Sequence, residues 1–277
     1  MPATRLTTKR VEKPWGRTKL WPGFDDVAAG DDPVGEIWFE TPGGGDPELL
    51  VKYLFTSEKL SIQVHPDDAE AQAHGYPRGK DEAWVVLAAE PHATIAIGTR
   101  SPMTREELRE SALDGSIEDK VFWKPVMGGD VFYSPAGTVH AIGEGLTLVE
   151  VQQNVDCTYR LYDYGRPREL HLEAGVAASD PVPYVAPHIP RDMGGGRTVL
   201  AYGPAFVLER WAGARRTAVK AGEGRPIWLI PISGKGSVDG EPLEPGGVWM
   251  VEDDATIDVD AATNILVAYP GAEIIGA

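Results

Sequence analysis

The chain reads as an all-β protein, a barrel or sandwich, on three observations. Its 32 glycines and 23 prolines are scattered between short β-favouring runs, so turn signals recur along its whole length. The runs themselves are rich in Val, Ile, Leu, Phe, Tyr and Trp, and are too short for helices of ordinary length. Only one segment carries the marks of a helix. Strands are expected over 60–65, 83–87, 94–98, 130–134, 146–152, 206–211, 226–232, 248–252 and 264–269. The helix is expected over 104–113, because Thr104 and Glu107 form a Thr-x-x-Glu capping box and Gly115 offers a stop.

A break is expected at 176–197, where Pro181, Pro183, Pro187 and Pro190 precede three consecutive glycines at 194–196. It divides the chain into 1–175 and 198–277. The two parts share a faint repeat: Gly129 precedes His140 by eleven residues, and Gly247 precedes Asp258 by the same spacing. If this is a duplication, the second copy has lost its imidazole. No histidine follows His188, so composition excludes a histidine-based metal site in the C-terminal part.

A length of 277 residues allows one large domain or two small ones, and a substantial core. The net charge of -16 repels nucleic-acid backbones and anionic lipid surfaces, so neither is an expected partner. A single cysteine, Cys157, forms no internal disulfide and no thiolate zinc site, and no residues near it suggest activation as a nucleophile. The opening 16 residues hold no apolar signal core, and the longest apolar stretches, such as 83–89, are far too short to span a bilayer. A soluble cytoplasmic protein is expected.

The chemistry concentrates in a few polar side chains inside β runs. Residues 60–65, Leu-Ser-Ile-Gln-Val-His, alternate strictly, which places Ser61, Gln63 and His65 on one face of a strand. An amide oxygen and an imidazole two residues apart on one face can meet one metal ion, although a solvated polar face is the blander reading. Glu82 opens an apolar strand and needs a partner there; Lys80, two residues earlier, would satisfy it as a structural ion pair. His140 follows the turn Ser134-Pro135-Ala136-Gly137 and is either a further ligand or a surface residue beside that turn.

These residues carry a resemblance. Leu-Ser-Ile-Gln-Val-His-Pro-Asp-Asp at 60–68, Gly-Lys-Asp-Glu-Ala-Trp-Val-Val-Leu at 79–87, Pro-Ala-Gly-Thr-Val-His-Ala-Ile-Gly at 135–143 and Glu-Val-Gln-Gln-Asn-Val-Asp-Cys-Thr-Tyr-Arg-Leu-Tyr-Asp-Tyr at 150–164 resemble, in order, blocks of type I mannose-6-phosphate isomerases, short bacterial form. Lys13-Pro14-Trp15-Gly16 and Gly35-Glu36-Ile37-Trp38 resemble the amino-terminal blocks. The resemblance covers residues 11 to about 175. It implies a cupin fold, a double-stranded β-helix barrel, and with the faint repeat two cupin-like barrels: a catalytic metal-binding domain at 1–175, a linker at 176–197 and a metal-free domain at 198–277.

The resemblance also implies one zinc ion per chain on Gln63, His65, Glu82 and His140, and a small sugar phosphate as substrate. Lys80 and Ser61 match family active-site positions. Arg160 matches the arginine placed over the substrate, and Asp156 an aspartate proposed in proton transfer. On a strand, Asp156, Thr158 and Arg160 would share a face with Gln152, as a functional edge or an ordinary cross-strand ion pair. Trp15 and Trp38 are candidates to line a sugar pocket. At position 81 family members commonly have Thr or Pro, whereas this chain has Asp81, and only the short helical segment replaces the large insertion that many members carry before His140.

The implied reaction interconverts mannose 6-phosphate and fructose 6-phosphate through an enediol. Asp156 is the candidate for proton transfer, with Lys80 or a metal-activated water as competitors. Two rivals remain at this stage: a metal-cupin oxygenase using iron, and a non-catalytic sugar-phosphate-binding cupin. His74, His92, His171 and His188 are read as solvated, and Cys157 as a passive core residue.

Overall fold

Period-two alternation decides which side chains of this molecule meet one another. The computed structural model describes residues 3–275 except 22, 25–30, 188 and 223. Antiparallel strands form sheets of seven, six, five and four strands among the described residues, in agreement with the all-β expectation. The six-stranded sheet runs in the order Thr7–Arg17, Val34–Glu40, Leu49–Thr56, Leu146–Gln153, Glu82–Ala89 and Val131–Ser134. The five-stranded sheet runs Tyr159–Tyr162, Ile62–Val64, His140–Ile142, Thr94–Thr99 and Val121–Pro125.

One face of the six-stranded sheet is apolar. Ile37, Phe39, Val51, Tyr53, Phe55, Ala83, Val149 and Val151 pack there with Leu200, Phe206, Leu208, Trp228, Ile230 and Leu266 from the C-terminal part. The intervening residues of the same strands, Glu36, Trp38, Lys52, Leu54, Glu82 and Glu150, line a cavity on the opposite face. Register therefore fixes which side receives charge, because a slip of one residue exchanges the two sets. The five-stranded sheet closes the other side of the cavity with Ser61, Gln63, Ile142 and Arg160.

The helix expected from the capping box spans Arg105–Asp114, with the reciprocal Thr104–Glu107 bonds formed and Gly115 closing it at φ 83°. Three shorter helices, Asp68–Ala73, Ile117–Lys120 and Leu172–Ala178, join it; their few turns lie below the length at which periodicity is legible. No described helix is long and apolar enough to cross a membrane.

The segment at 176–197 is docked on the first part of the chain. Pro183 bridges to Gly98, and the Thr99 and Met103 amides donate to the Val182 and Pro181 carbonyls. Arg191–Gly194 pairs with Arg197–Tyr202 as a sheet-edge strand, despite its glycines. The chain's first described strand, Ala3–Arg5, pairs with Trp249–Val251 in the seven-stranded sheet. We propose that the two parts of the chain, however bounded, unfold as one cooperative unit. Exposing six large apolar side chains on the shared face would cost on the order of 10 kcal/mol, at about 1.5–3 kcal/mol each, which matches the whole stability of an ordinary domain. A single calorimetric transition is expected for the intact chain, and a fragment ending at residue 175 is expected to bind a hydrophobic dye strongly.

Candidate metal centre

His65, Glu82 and His140 come from three separated stretches and meet beside a cavity of about 310 Å³ that Glu82 and Gln63 help to line. Their potential ligand atoms lie within 4.8 Å of one another, and all three side chains are almost completely buried. His65 Nε2 is 3.1 Å and His140 Nε2 3.6 Å from the Glu82 carboxylate. The imidazole rings are 4.9 Å apart.

The outer nitrogens decide what the inner ones can do. His65 Nδ1 donates to the Cys157 carbonyl at 2.9 Å, and His140 Nδ1 donates to the Thr138 carbonyl at the same distance. A carbonyl only accepts, so in the neutral rings the proton sits on Nδ1 and both Nε2 lone pairs point inward. Burial, with the nearby Lys80 ammonium, pushes His65 down to about 3, and burial likewise pushes His140 down. Both rings are thus held in the neutral form a metal requires.

Glu82 supplies the negative charge. Burial opposes its ionisation, but the Lys80 ammonium overcomes that penalty and holds the carboxyl well below its usual range. Lys80 Nζ is 2.8 Å from Glu82 Oε1, so the structural ion pair considered for Glu82 exists alongside the ligand cluster. The same contact, with Glu150 nearby, raises Lys80 against the effect of its burial and keeps it an ammonium. Gln63 Nε2 lies 3.3 Å from His140 Nε2, and Gln63 Oε1 accepts from the Ser61 hydroxyl at 3.0 Å. Turning the amide over presents its oxygen to the cluster, and the Ser61 oxygen can then accept from Nε2. Two neutral imidazoles, one carboxylate and one amide fit zinc, an ion at home with N and O donors.

The cavity wall holds the other residues singled out in the sequence: Ser61, Lys80, Trp15, Trp38, Asp156, Thr158 and Arg160. Only Arg160 of the last three is in a strand, since pairing begins at Tyr159; Asp156 and Thr158 reach the cavity from the preceding loop. Gln152 belongs to a different strand, Leu146–Gln153, where it is buried and accepts from Lys52 at 2.6 Å. Trp38 lies between the Lys9 and Lys52 ammoniums, with Nζ atoms 5.1 and 4.7 Å from the ring centroid. It positions cations rather than offering a bare face to a sugar.

Sequence reasoning missed a second group on this wall. Lys52 is 3.2 Å from Glu150 and 3.9 Å from Glu36, which also accepts from Trp38 Nε1 at 2.6 Å. The signal was present as a single charge inside each of three apolar strands, and register brings Glu150 and Trp38 to either side of Lys52. Burial and the negative charge of Glu82 raise the Glu150 carboxyl. Asp163 pairs with Arg166 and Arg168 at 2.8 and 2.6 Å, whereas Arg160 has no carboxylate partner among the described residues.

The remaining histidines lie elsewhere. His74 and His92 are exposed, as expected; His171 is half-buried, its Nδ1 accepting from the Arg160 amide, and His188 lies outside the described residues. The Cys157 thiol is buried and its pKa is raised by that burial, so the residue contributes through its carbonyl. Asp258, the counterpart of His140 in the faint repeat, is exposed opposite Arg216.

No family model matches the chain. A mannose-6-phosphate isomerase of Streptococcus mutans is 36% identical over 200 residues, 69% of this chain and 62% of that protein. One from Bacillus subtilis is 42% identical over 135 residues, covering 46% of this chain and 42% of its own length. The crystal structure of the mannose 6-phosphate isomerase from Bacillus subtilis superposes with a TM-score of 0.82 at 27% identity, over 97% of this chain and 99% of that one. The chain is similar in sequence and in fold to mannose-6-phosphate isomerases. It spans less than two thirds of the length of the two curated relatives, 62% and 42% respectively. A zinc-bound mannose 6-phosphate isomerase shares the fold, with a TM-score of 0.74 at 15% identity over 98% of this chain and 100% of that one. The cupin expectation holds for the architecture, with the metal cluster beside the cavity between the six- and five-stranded sheets.

Proposed function

We propose that the chain is a zinc-dependent aldose–ketose isomerase that interconverts mannose 6-phosphate and fructose 6-phosphate. One observation carries the reading: His65 and His140 cluster with Glu82, which together with Gln63 lines a cavity whose walls combine cations and carboxylates. Gln63, His65, Glu82 and His140 would hold one zinc ion, which would supply divalent charge without redox chemistry, to offset the charge that develops on substrate oxygen. Arg160, Arg168, Lys9 and Lys13 line the same cavity and provide a local positive field for a phosphate, against the net charge of -16. Ser61 and Trp15 shape the wall against the sugar. Lys80 acts as a fixed cation donor, since its proton is secured by Glu82.

Proton transfer falls to carboxylates. Glu150 has its pKa raised by burial, which brings a carboxyl closer to the strength useful near neutral pH, and it lies inside the cavity. Asp156, exposed at the rim, exchanges protons between the cavity and solvent. The single buried thiol fits a cytoplasmic protein.

The test is an isomerase assay in deuterated water on a panel of free and phosphorylated sugars, with metal content measured on the same sample. Chelation is expected to abolish interconversion and zinc re-addition to restore it, with deuterium entering the substrate carbon during turnover. Tight sugar-phosphate binding with no turnover in any metal state would make the chain a binding protein, and oxygen consumption with iron would make it an oxygenase.

A further inference from the structure

The turn that leads into His140 is held on three sides. Ala136 N donates to Asp81 Oδ1 at 2.8 Å, Gly137 N donates to the His65 carbonyl at 2.9 Å, and the Thr138 carbonyl accepts from His140 Nδ1 at 2.9 Å. One short segment therefore touches both histidines of the cluster. Of these three holders Asp81 is the one outside the ligand cluster, and the next residue is Glu82. Its second carboxylate oxygen accepts from Tyr133 Oη at 2.5 Å, and Tyr133 lies on the strand paired with the Glu82 strand.

Tyr133 is in turn pressed by the C-terminal part. Its hydroxyl makes a hydrogen bond with the Ala205 backbone, its ring is 5.2 Å from the Phe206 ring, and Gly203 lies against it. A Cβ at residue 203 would fall 2.0 Å from Tyr133 Oη and 2.2 Å from Cζ, so only glycine admits this approach. The contact runs unbroken from residues 203–206, through Tyr133 and Asp81, to the turn that orients His140.

We propose that Asp81 and Tyr133 are positioning residues through which the C-terminal part sets the geometry, and hence the affinity, of the metal centre. This rests on the reading of His65, Glu82 and His140 as metal ligands, but it does not require the chain to isomerise anything. The C-terminal part carries no ligand; it braces the hydroxyl that braces the carboxylate that holds the turn. Groups that orient metal-bound histidines typically change affinity by about 10–100-fold when removed.

Zinc affinity of the full chain, measured by competition with a chromophoric chelator, tests the proposal beside the thermal midpoint of the metal-free protein. Tyr133→Phe and Asp81→Ala are each expected to weaken zinc by about 10-fold or more. Asp81→Asn is expected to recover most of the loss, because an amide oxygen still accepts from Ala136 N while its NH₂ donates to the Tyr133 oxygen. Gly203→Ala is expected to weaken zinc at least about tenfold, although residue 203 touches no ligand. A lower midpoint with wild-type zinc affinity in both Tyr133→Phe and Asp81→Ala would reduce the pair to a structural tie and overturn the proposal. Wild-type affinity in a folded Gly203→Ala would overturn the role of the C-terminal part, and should that variant not fold, Tyr133→Phe decides. Because the readout is metal binding, an absence of isomerisation leaves this result unaffected.

Discussion

Glu82→Ala is expected to lose zinc, lose at least about 10³-fold in kcat/KM, and unfold about 10 °C earlier than the parent chain. The loss of activity follows from removing the one anionic member of the ligand cluster. The loss of stability has a separate cause. Lys80 is 5% exposed and its ammonium lies 2.8 Å from Glu82, so the substitution leaves a buried cation without its nearest anion. Breaking a buried pair in this way costs about 3–5 kcal/mol. The two effects separate in the double variant Lys80→Met/Glu82→Gln, which removes both charges together. Its midpoint is expected to return most of the way to the parent value, while activity stays lost. Calorimetry and zinc analysis check this pair of variants. A Glu82→Ala protein with full zinc content, or with turnover within tenfold of the parent, would refute the ligand assignment.

Arg160→Ala is expected to lower kcat/KM by about 10²-fold, close to 3 kcal/mol, with little change in thermal midpoint. The reason lies in what Arg160 lacks. Its Nη1 donates to the Glu169 carbonyl at 2.6 Å, its Nε has no hydrogen-bond partner among the described residues, and its neighbour Arg168 is committed to Asp163. Burial and the charge of Arg168 push the Arg160 guanidinium below its usual range, so an anion placed against it is favoured. A cross-strand ion pair with Asp156, the structural alternative for this residue, is not among the pairs formed by the described residues. Lysine at 160 is expected to restore little, because an ammonium cannot reproduce the planar fork of donors. Parallel losses of stability and turnover in Arg160→Ala would show that the side chain mainly supports the fold.

Much of the cluster was legible in the chain because its signals are local. Strict alternation over 60–65 separates Gln63 and His65 from Ile62 and Val64, and the structure buries Ile62 and Val64 in a core cluster away from the cavity. The capping box at Thr104 and Glu107 defined its helix by contacts within one turn. Three other features were not legible in this way. Lys52, Glu150 and Glu36 are isolated charges in otherwise apolar runs, and their meaning depends on which strands pair. The expected strand face of Asp156, Thr158 and Arg160 depended on pairing that starts only at Tyr159. The segment at 176–197 reads as free from its prolines and glycines, yet its carbonyls accept from Thr99 and Met103.

The sequence by itself determined the β class, the polar residues that interrupt apolar strands, and the donor types suited to a divalent ion. These follow from period, turn chemistry and side-chain lone pairs, which are properties of a few neighbouring residues. Tertiary structure alone decided that Lys80 is a locked ammonium, that both imidazoles present Nε2, that Arg160 has no carboxylate partner among the described residues, and that Gly203 presses on Tyr133. Each of those depends on groups many residues apart and on the removal of water around them. Charge and proton position are set by that desolvated surrounding, which no stretch of the chain contains on its own.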